Sequence, residues 1–566
     1  MSDWISTDVP GRARWKTSLR ERARVSAPTL AEGTLAALSA LLLIISFPDF
    51  NLWPLAWVAL VPLLLVIARR PQSAPAFILG LITGAPFFLG SCYWLTYAMV
   101  RYGGIPAPLA YLLLMPGALV VGLFPALFAL VLARAVARRG AGALLVAPFA
   151  WTALEWARLG VTGQLWNAIG YSQAYHPSLI QAARWGGVYA VGFLILTVNA
   201  AVAYAIIERT ARALAASAVA LVLVSTLVAL SLYASKPGDV AESVGPRTVI
   251  VALQPDVPME PVKELTEMEA LMLRHLQMSE GALRAWEEGR IEDDGATVVL
   301  DAGRQRQLAE ARRTMPRVVV WPESPMNFTY AKDAEFRDLV RGFTTKNHTS
   351  VLFNSLEPAP GDGAYNSAVL VNEEGRAVVQ YDKIRLLPFG EYVPLPRWLP
   401  GASLVPVMVG DFTPGASYPL MSLGRARAGV FICFESAFPE IARKFADEGT
   451  DVLINISNDG YLGPTPVMRQ HLANAVFRAV ENGRPVLRVT NTGITAYITS
   501  RGEVMGETKG FEPAVRIWTV GPGPGDKTFY TRHGDLFAGL CVLLSLLILV
   551  ASLRRSSVML NPRRSV

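Results

Sequence analysis

Charge is scarce in this sequence, and so are cysteine and histidine. Charged residues make up 17% of the 566 positions, against about a quarter in an ordinary soluble domain. The three cysteines are Cys92, Cys433 and Cys541. Their spacing gives neither a disulfide framework nor a CxxC pair. No HExxH stretch occurs either, so neither a metal nor another cofactor is expected. No repeat of solenoid period is present, which excludes a stacked-repeat architecture. The formal charge of +7 is not gathered on one soluble face. Its basic residues sit at the ends of apolar segments, which speaks for membrane topology and against a nucleic-acid partner.

Apolar residues are abundant and unevenly spread. Windows near 33–48, 52–68, 77–100, 109–133, 142–157, 186–207, 212–233 and 536–553 approach or exceed the roughly 20 residues of a spanning helix. The expected organisation is a basic cytoplasmic extension (1–32), a seven-helix membrane domain (33–235), a polar domain (240–532), an eighth spanning helix (536–553) and a basic tail (554–566). The long polar stretch before the first segment argues against a cleavable signal peptide. Lys and Arg cluster at Arg12 to Arg24, Arg69–Arg70, Arg134 to Arg139, Arg209–Arg212 and Arg554 to Arg564. If eight helices alternate, all five places fall on one side. Both termini are then cytoplasmic and the polar domain lies outside. A transporter with a loop domain is the rival reading. Few charges sit mid-segment as an ion path would want, with Glu155 the main exception.

In the polar domain, short β-branched runs recur at 247–254, 317–321, 351–355, 368–371, 378–381, 428–434, 451–457 and 485–490. Helical patterns fall around 302–313, 332–343, 438–449 and 467–482. This alternation predicts an α/β domain with buried strands. Three polar clusters each end such a run: Trp321-Pro322-Glu323, Tyr381-Asp382-Lys383 and Cys433-Phe434-Glu435. Sites gather outside strand carboxyl ends, so clusters 50–60 residues apart can meet in space.

Their chemistry is complementary. Cys433 stops an apolar strand just before a helix, where a helix N-terminal field favours thiolate. A buried structural cysteine is the plain alternative, but a lone thiol outside the membrane would ordinarily be paired or replaced. Glu323 ends an apolar run beside Trp and Pro, an environment that suits a general base. Lys383 offers a fixed cation for an oxyanion or a thiolate. A papain-like Cys–His pair is the rival. Of His275, His348, His471 and His533, none sits at an evident strand end, and His471 falls in a helical pattern.

Together, in this order, the three clusters resemble the Glu–Lys–Cys triad of the nitrilase superfamily. The apolar scaffold narrows the resemblance to its membrane-bound branch, the apolipoprotein N-acyltransferases. Further matches are Pro388-Phe389-Gly390-Glu391-Tyr392-Val393-Pro394, Asn458-Asp459-Gly460-Tyr461, Gly483-Arg484-Pro485, Thr490-Asn491-Thr492-Gly493 and Gly170-Tyr171-Ser172-Gln173. The resemblance spans residues 33–553. It implies an α-β-β-α sandwich, with Cys433 as nucleophile, Glu323 as general base and Lys383 as oxyanion stabiliser beside the Phe434 backbone N–H. Glu391 and Glu435 support them. The implied partners are a phospholipid acyl donor, a diacylglyceryl apolipoprotein acceptor and the lipid bilayer of a bacterial inner membrane, with the catalytic domain on the periplasmic side. The apolar stretch 386–412, with Leu386, Leu387, Tyr392 and Trp398, reads as an interfacial lid. Departures are an apparent insertion near 264–315, no Trp shortly after Gln254, Phe434 where many members carry Tyr, and Tyr461 for a frequent Trp. A membrane-tethered amidase that hydrolyses a carbon–nitrogen bond is the alternative enzyme.

Overall fold

The computed structural model describes residues 27–234, 247–259, 265–290, 312, 314–323, 328–388, 390–393, 410–523 and 525–554. The N-terminal part is helical: α1 (Leu30–Ser46), α2 (Val61–Arg69), α3 (Ser73–Ser91), α4 (Leu95–Arg101), α5 (Ala107–Arg139), α6 (Ala147–Thr162), α7 (Ala183–Glu208) and α8 (Ala211–Ala234). Four of them, α3, α5, α7 and α8, are long and apolar enough to cross a membrane; α1, the stretch Trp53–Arg69 and the last helix are shorter apolar helices. The 52–68 window is divided. A 3-10 turn at Trp53–Trp57 precedes α2, and each element carries Pro in its first turn, where the missing N–H does no harm. The 77–100 window is also divided, because α3 stops at Ser91 and the Trp94 indole donates to the freed Ser91 carbonyl.

Helices α3 and α5 pack closely because small residues face each other. A Cβ on Gly80 would lie 2.5 Å from the Pro125 carbonyl oxygen, the close approach that small residues permit between helices in lipid. The outer helix α8 leaves Leu214, Val222, Leu227 and Leu230 exposed, as a lipid-facing helix does.

Among the described residues the polar domain holds two six-stranded sheets. Its strands are β1 (Thr248–Gln254), β2 (Arg317–Val320), β3 (Ser350–Pro358), β4 (Ala364–Val371), β5 (Ala377–Asp382), β6 (Leu420–Ser422), β7 (Arg427–Ile432), β8 (Val452–Ser457), β9 (Val486–Thr490), β10 (Ala496–Ile498), β11 (Val504–Met505) and β12 (Ala514–Val520). The orders are β12-β1-β2-β3-β4-β5 and β11-β10-β9-β8-β7-β6. Strands β1, β2 and β3 are parallel, as are β7, β8 and β9. Antiparallel strands close the edges. Because β5 returns to the direction of β3, the ends of β2 and β5 lie along one rim.

Alternate side chains of the first sheet serve two cores. Ile250, Ala252, Val318, Val320, Leu352 and Leu370 pack toward Val430, Ile454 and Leu487 of the second sheet. Val249, Val251, Val319, Val351, Phe353 and Val369 face the opposite way, onto α9 (Leu265–Glu287) and α10 (Ala334–Asn347). Helices α11 (Pro439–Asp447) and α12 (Val467–Asn482) cover the second sheet, and α12 also packs on membrane helix α7. The result is the expected α-β-β-α sandwich, seated by one helix layer on the apolar bundle. A short helix (Phe529–His533) then leads to α13 (Leu536–Arg554).

The structure adds elements the pattern missed. Helix α9 fills part of the apparent insertion, while most of the expected 302–313 helix lies outside the described residues. Strands β6, β10 and β11 have only two or three residues, too few to show a period. Edge strand β12 carries Arg516 in its middle and so lacks a continuous apolar run. The expected strand 428–434 stops at Ile432, because Cys433 turns to φ +52° and opens a 3-10 turn, Cys433–Ala437.

Candidate active site

Lys383 directly follows β5, and its backbone N–H still donates to the Asn366 carbonyl of β4 at 2.8 Å. The side chain is 1% exposed. Its Nζ lies 2.7 Å from Glu391 Oε1 and 3.6 Å from Glu323 Oε1. Asn366 Nδ2 donates to both carboxylates, at 3.0 Å to Glu323 and 2.8 Å to Glu391. The Leu387 N–H donates to Glu391 Oε2 at 2.7 Å. Burial alone would lower the lysine pKa, but Glu391 and then Glu323 outweigh it and raise it above the ordinary value. The ammonium therefore stays charged across the neutral range. The one ammonium thus lies within ion-pair distance of two carboxyl groups.

Cys433 stands at the rim end of β7 in the left-handed backbone region, a conformation that costs a non-glycine residue about 1–3 kcal/mol and needs outside support. Glu435, fully buried, supplies one brace. Its Oε2 accepts the Ile432 N–H at 2.8 Å, and its Oε1 accepts the Ile384 and Arg385 N–H groups at 2.8 and 3.0 Å. The Tyr381 hydroxyl donates to the same carboxylate at 2.8 Å. One side chain thus ties the turn after β7 to the segment after β5. Burial raises the Glu435 pKa, against the pull of those backbone N–H groups.

The Cys433 thiol forms no hydrogen bond among the described residues. Burial raises its pKa first, the charge of Glu323 raises it further, and Lys383 opposes them. The resting thiol is neutral, not a thiolate favoured by a helix field. A 3-10 turn intervenes between the residue and α11, whose first turn begins at Pro439. The field expected from sequence is too far along the chain, and burial wins.

Residues 39–201 match the apolipoprotein N-acyltransferase N-terminal domain, and residues 257–522 match the carbon-nitrogen hydrolase family. The chain is 34% identical over 538 residues to an apolipoprotein N-acyltransferase of Geobacter metallireducens, covering 93% of this chain and 96% of that one. This chain belongs to the apolipoprotein N-acyltransferase family. A second relative of that name, from Chlorobaculum tepidum, is 29% identical over 554 residues, covering 92% of this chain and 96% of its own. Among solved structures, an amidase from a Nesterenkonia species aligns at 18% identity and a TM-score of 0.34, over 52% of this chain and 97% of that one. The protein is a membrane acyltransferase with a nitrilase-type domain.

The remaining sequence-derived residues of the acyltransferase fall in different places. The Phe434 ring stacks on Trp166 at 5.9 Å and meets Phe438 edge-on, so it packs against the helical part. Tyr392, Leu386 and Leu387 are half-buried beside Glu391. Trp398 and most of the expected lid lie outside the described residues. Glu155 is buried in the bundle and accepts the Ile169 N–H at 2.8 Å, a structural tie away from the strand-end rim.

Sequence reasoning missed three groups. Asn366 is a polar residue inside a strand, and only the fold shows that it faces two carboxylates. Trp166 comes from a loop between apolar segments; its indole and that of Trp94 both donate to Gln470 Oε1, at 2.8 and 3.0 Å. His471 is the third. Its Nε2 lies 2.9 Å from the Cys433 carbonyl oxygen, not from the thiol, so it forms no Cys–His couple. The Asn-Asp pair after β8, at yet another strand end, was the one available signal for that neighbourhood.

Proposed function

We propose that this acyltransferase moves a fatty acyl chain from a phospholipid to the terminal amine of a diacylglyceryl-cysteine lipoprotein, through a thioester on Cys433. The observation that carries the reading is the strand-end rim itself. A half-buried free thiol feels the charges of Glu323 and Lys383, in a domain seated on apolar helices.

Glu323 takes the thiol proton as Sγ attacks the ester carbonyl. The tetrahedral oxyanion is held by the Lys383 ammonium and the Phe434 N–H. The carbon–oxygen bond breaks, the proton on Glu323 passes to the leaving oxygen, and lysophospholipid departs. In the second half the lipoprotein amine attacks the thioester. Glu323 accepts an amine proton and returns it to the departing sulfur, leaving an amide and a free thiol. Glu391 and Asn366 hold Lys383 and Glu323 in register throughout. This is ping-pong chemistry.

The membrane setting has an energetic reason. Drawing a 16-carbon chain into water would cost on the order of 10 kcal/mol, at roughly 0.8 kcal/mol per CH₂. The reaction therefore belongs at the bilayer edge. The distribution of Lys and Arg supports a bacterial inner-membrane protein with both termini cytoplasmic and the catalytic domain periplasmic.

The test is mass spectrometry of the Cys433 peptide after incubation with acyl-labelled phospholipid. A fatty acyl adduct on Cys433 that a diacylglyceryl peptide removes as an amide is the expected result. Loss of label to water alone, with no transfer to that peptide, would turn the reading toward a hydrolase. Full transfer by Cys433→Ala would end it.

A further inference from the structure

Behind the nucleophile lies a buried polar chain that the mechanism above does not use. His471 on α12 is 3% exposed, Asp459 after β8 is 2% exposed and Arg488 on β9 is fully buried. Arg488 reaches Asp459 Oδ2 at 2.8 Å and Asn455 Oδ1 at 2.6 Å. Asp459 Oδ1 lies 2.7 Å from His471 Nδ1. His471 Nε2 then meets the Cys433 carbonyl oxygen at 2.9 Å, and Asn455 Nδ2 reaches the same oxygen at 3.4 Å. Residues of α12, β8 and β9 thus converge on one carbonyl at the end of β7. The Trp166 ring, from the helical part, packs 5.6 Å from the imidazole.

Both neighbours of the imidazole are acceptors, and the contact with the Cys433 carbonyl is made by a ring that carries a proton on Nε2. Burial and Arg488 lower the pKa of that ring, and the Asp459 carboxylate opposes them. Asp459 itself stays ionised. Burial would raise its pKa, but Arg488 and His471 outweigh burial and hold it at about 2.

The carbonyl held in this way belongs to the peptide unit whose other end is the Phe434 N–H. That unit is planar and trans, so its C=O and N–H point in opposite directions. Fixing the oxygen on one side fixes the aim of the N–H on the other. A donor on the oxygen also polarises the unit and strengthens the N–H as a donor. The need is real here, because the left-handed Cys433 backbone would otherwise relax and swing this plane.

We propose that His471 is a positioning residue that, by holding the Cys433 carbonyl, aims the Phe434 N–H at the oxyanion formed during acyl transfer. This rests on the reading of Cys433 as the acylated nucleophile. It implies that His471 matters only where an oxyanion forms.

The experiment compares two reactions of the full-length protein in detergent. Acylation of Cys433 by a short-chain p-nitrophenyl ester passes through an oxyanion, whereas alkylation by iodoacetamide does not. His471→Ala should slow the acylation burst by about 10- to 100-fold, the range expected for a misaligned oxyanion donor. Alkylation should stay within about twofold of wild type. His471→Gln, whose amide N–H can reach the carbonyl, should recover most of the acylation rate. Equal losses in both reactions, or no loss in either, would overturn the proposal. If His471→Ala does not fold, His471→Gln and Asp459→Asn decide it. The first should acylate near the wild-type rate, and the second should acylate about tenfold more slowly with alkylation unchanged; any other pattern counts against it. Wild-type protein that reacts with the ester but takes no acyl group from phospholipid would sink the lipid reading alone.

Discussion

Removing the charge of Glu323 should move two readouts in opposite directions. Its carboxylate raises the thiol pKa of Cys433, so Glu323→Gln lowers that pKa and speeds alkylation of the thiol at alkaline pH. The same change removes the proposed general base, which should slow acylation by about 10²–10⁴-fold. Measuring both rates on one preparation checks the pair; a parallel change would separate Glu323 from the proton transfer. Asp459 carries a pH prediction. Its folded pKa of about 2 lies below the unfolded value near 3.9, so its contribution is intact at neutral pH and disappears as pH falls from about 4 through about 2. Roughly 2–3 kcal/mol should be lost across that window, and Asp459→Asn should flatten that limb of the curve of melting temperature against pH. At this scale the sequence was informative wherever an apolar run stopped at a residue of the proposed site, as at Glu323, Lys383 and Cys433. It was silent on Asn366, and it placed His471 in a helix without its partners, because the neighbours of both are set by what lies across the fold.

Helices α3 and α5 meet at a surface that leaves no room for a methyl group. In Gly80→Ala the new Cβ would press on the Pro125 carbonyl and the Ala126 Cα, 2.5 and 2.6 Å away. Both are backbone atoms that cannot rotate aside, so a loss of about 1–3 kcal/mol is expected. Thermal unfolding in detergent would register it as a lower midpoint, with the isolated chemistry of the rim otherwise unchanged. The central strands were legible as elements because they are buried on both faces and read as unbroken apolar runs. Strand ends were less so. The stop at Ile432 reflects a backbone reversal held by Glu435 and His471, and both braces come from outside the strand's own pattern. The break inside the 52–68 window goes with Pro54 and Pro62, each in the first turn of one of its two pieces, which the window length alone had smoothed over.

Orientation in the membrane is a property of the entire molecule, and it can be tested by labelling. Arg138 ends a spanning helix and Glu374 lies in an exposed turn of the sandwich. In a Cys433→Ala background, Glu374→Cys should react with an impermeant maleimide from outside intact spheroplasts, whereas Arg138→Cys should react only after permeabilisation. The reverse pattern would invert the topology read from Lys and Arg. How the two parts join was invisible in sequence. Gln470 accepts from Trp94 and Trp166 of the helical part, and Glu481 of α12 accepts the Val188 N–H at 2.9 Å where α7 breaks at Gly186 and Gly187. By itself the sequence determined the apolar segments, the buried strands and the strand-end clusters that carry the proposed chemistry, because hydrophobic period and strand-end composition are local. Only the tertiary structure decided which carboxylates share the ammonium, what holds the backbone at Cys433 and how the sandwich sits on its helices. Those depend on distances between segments far apart in the chain, and packing fixes them.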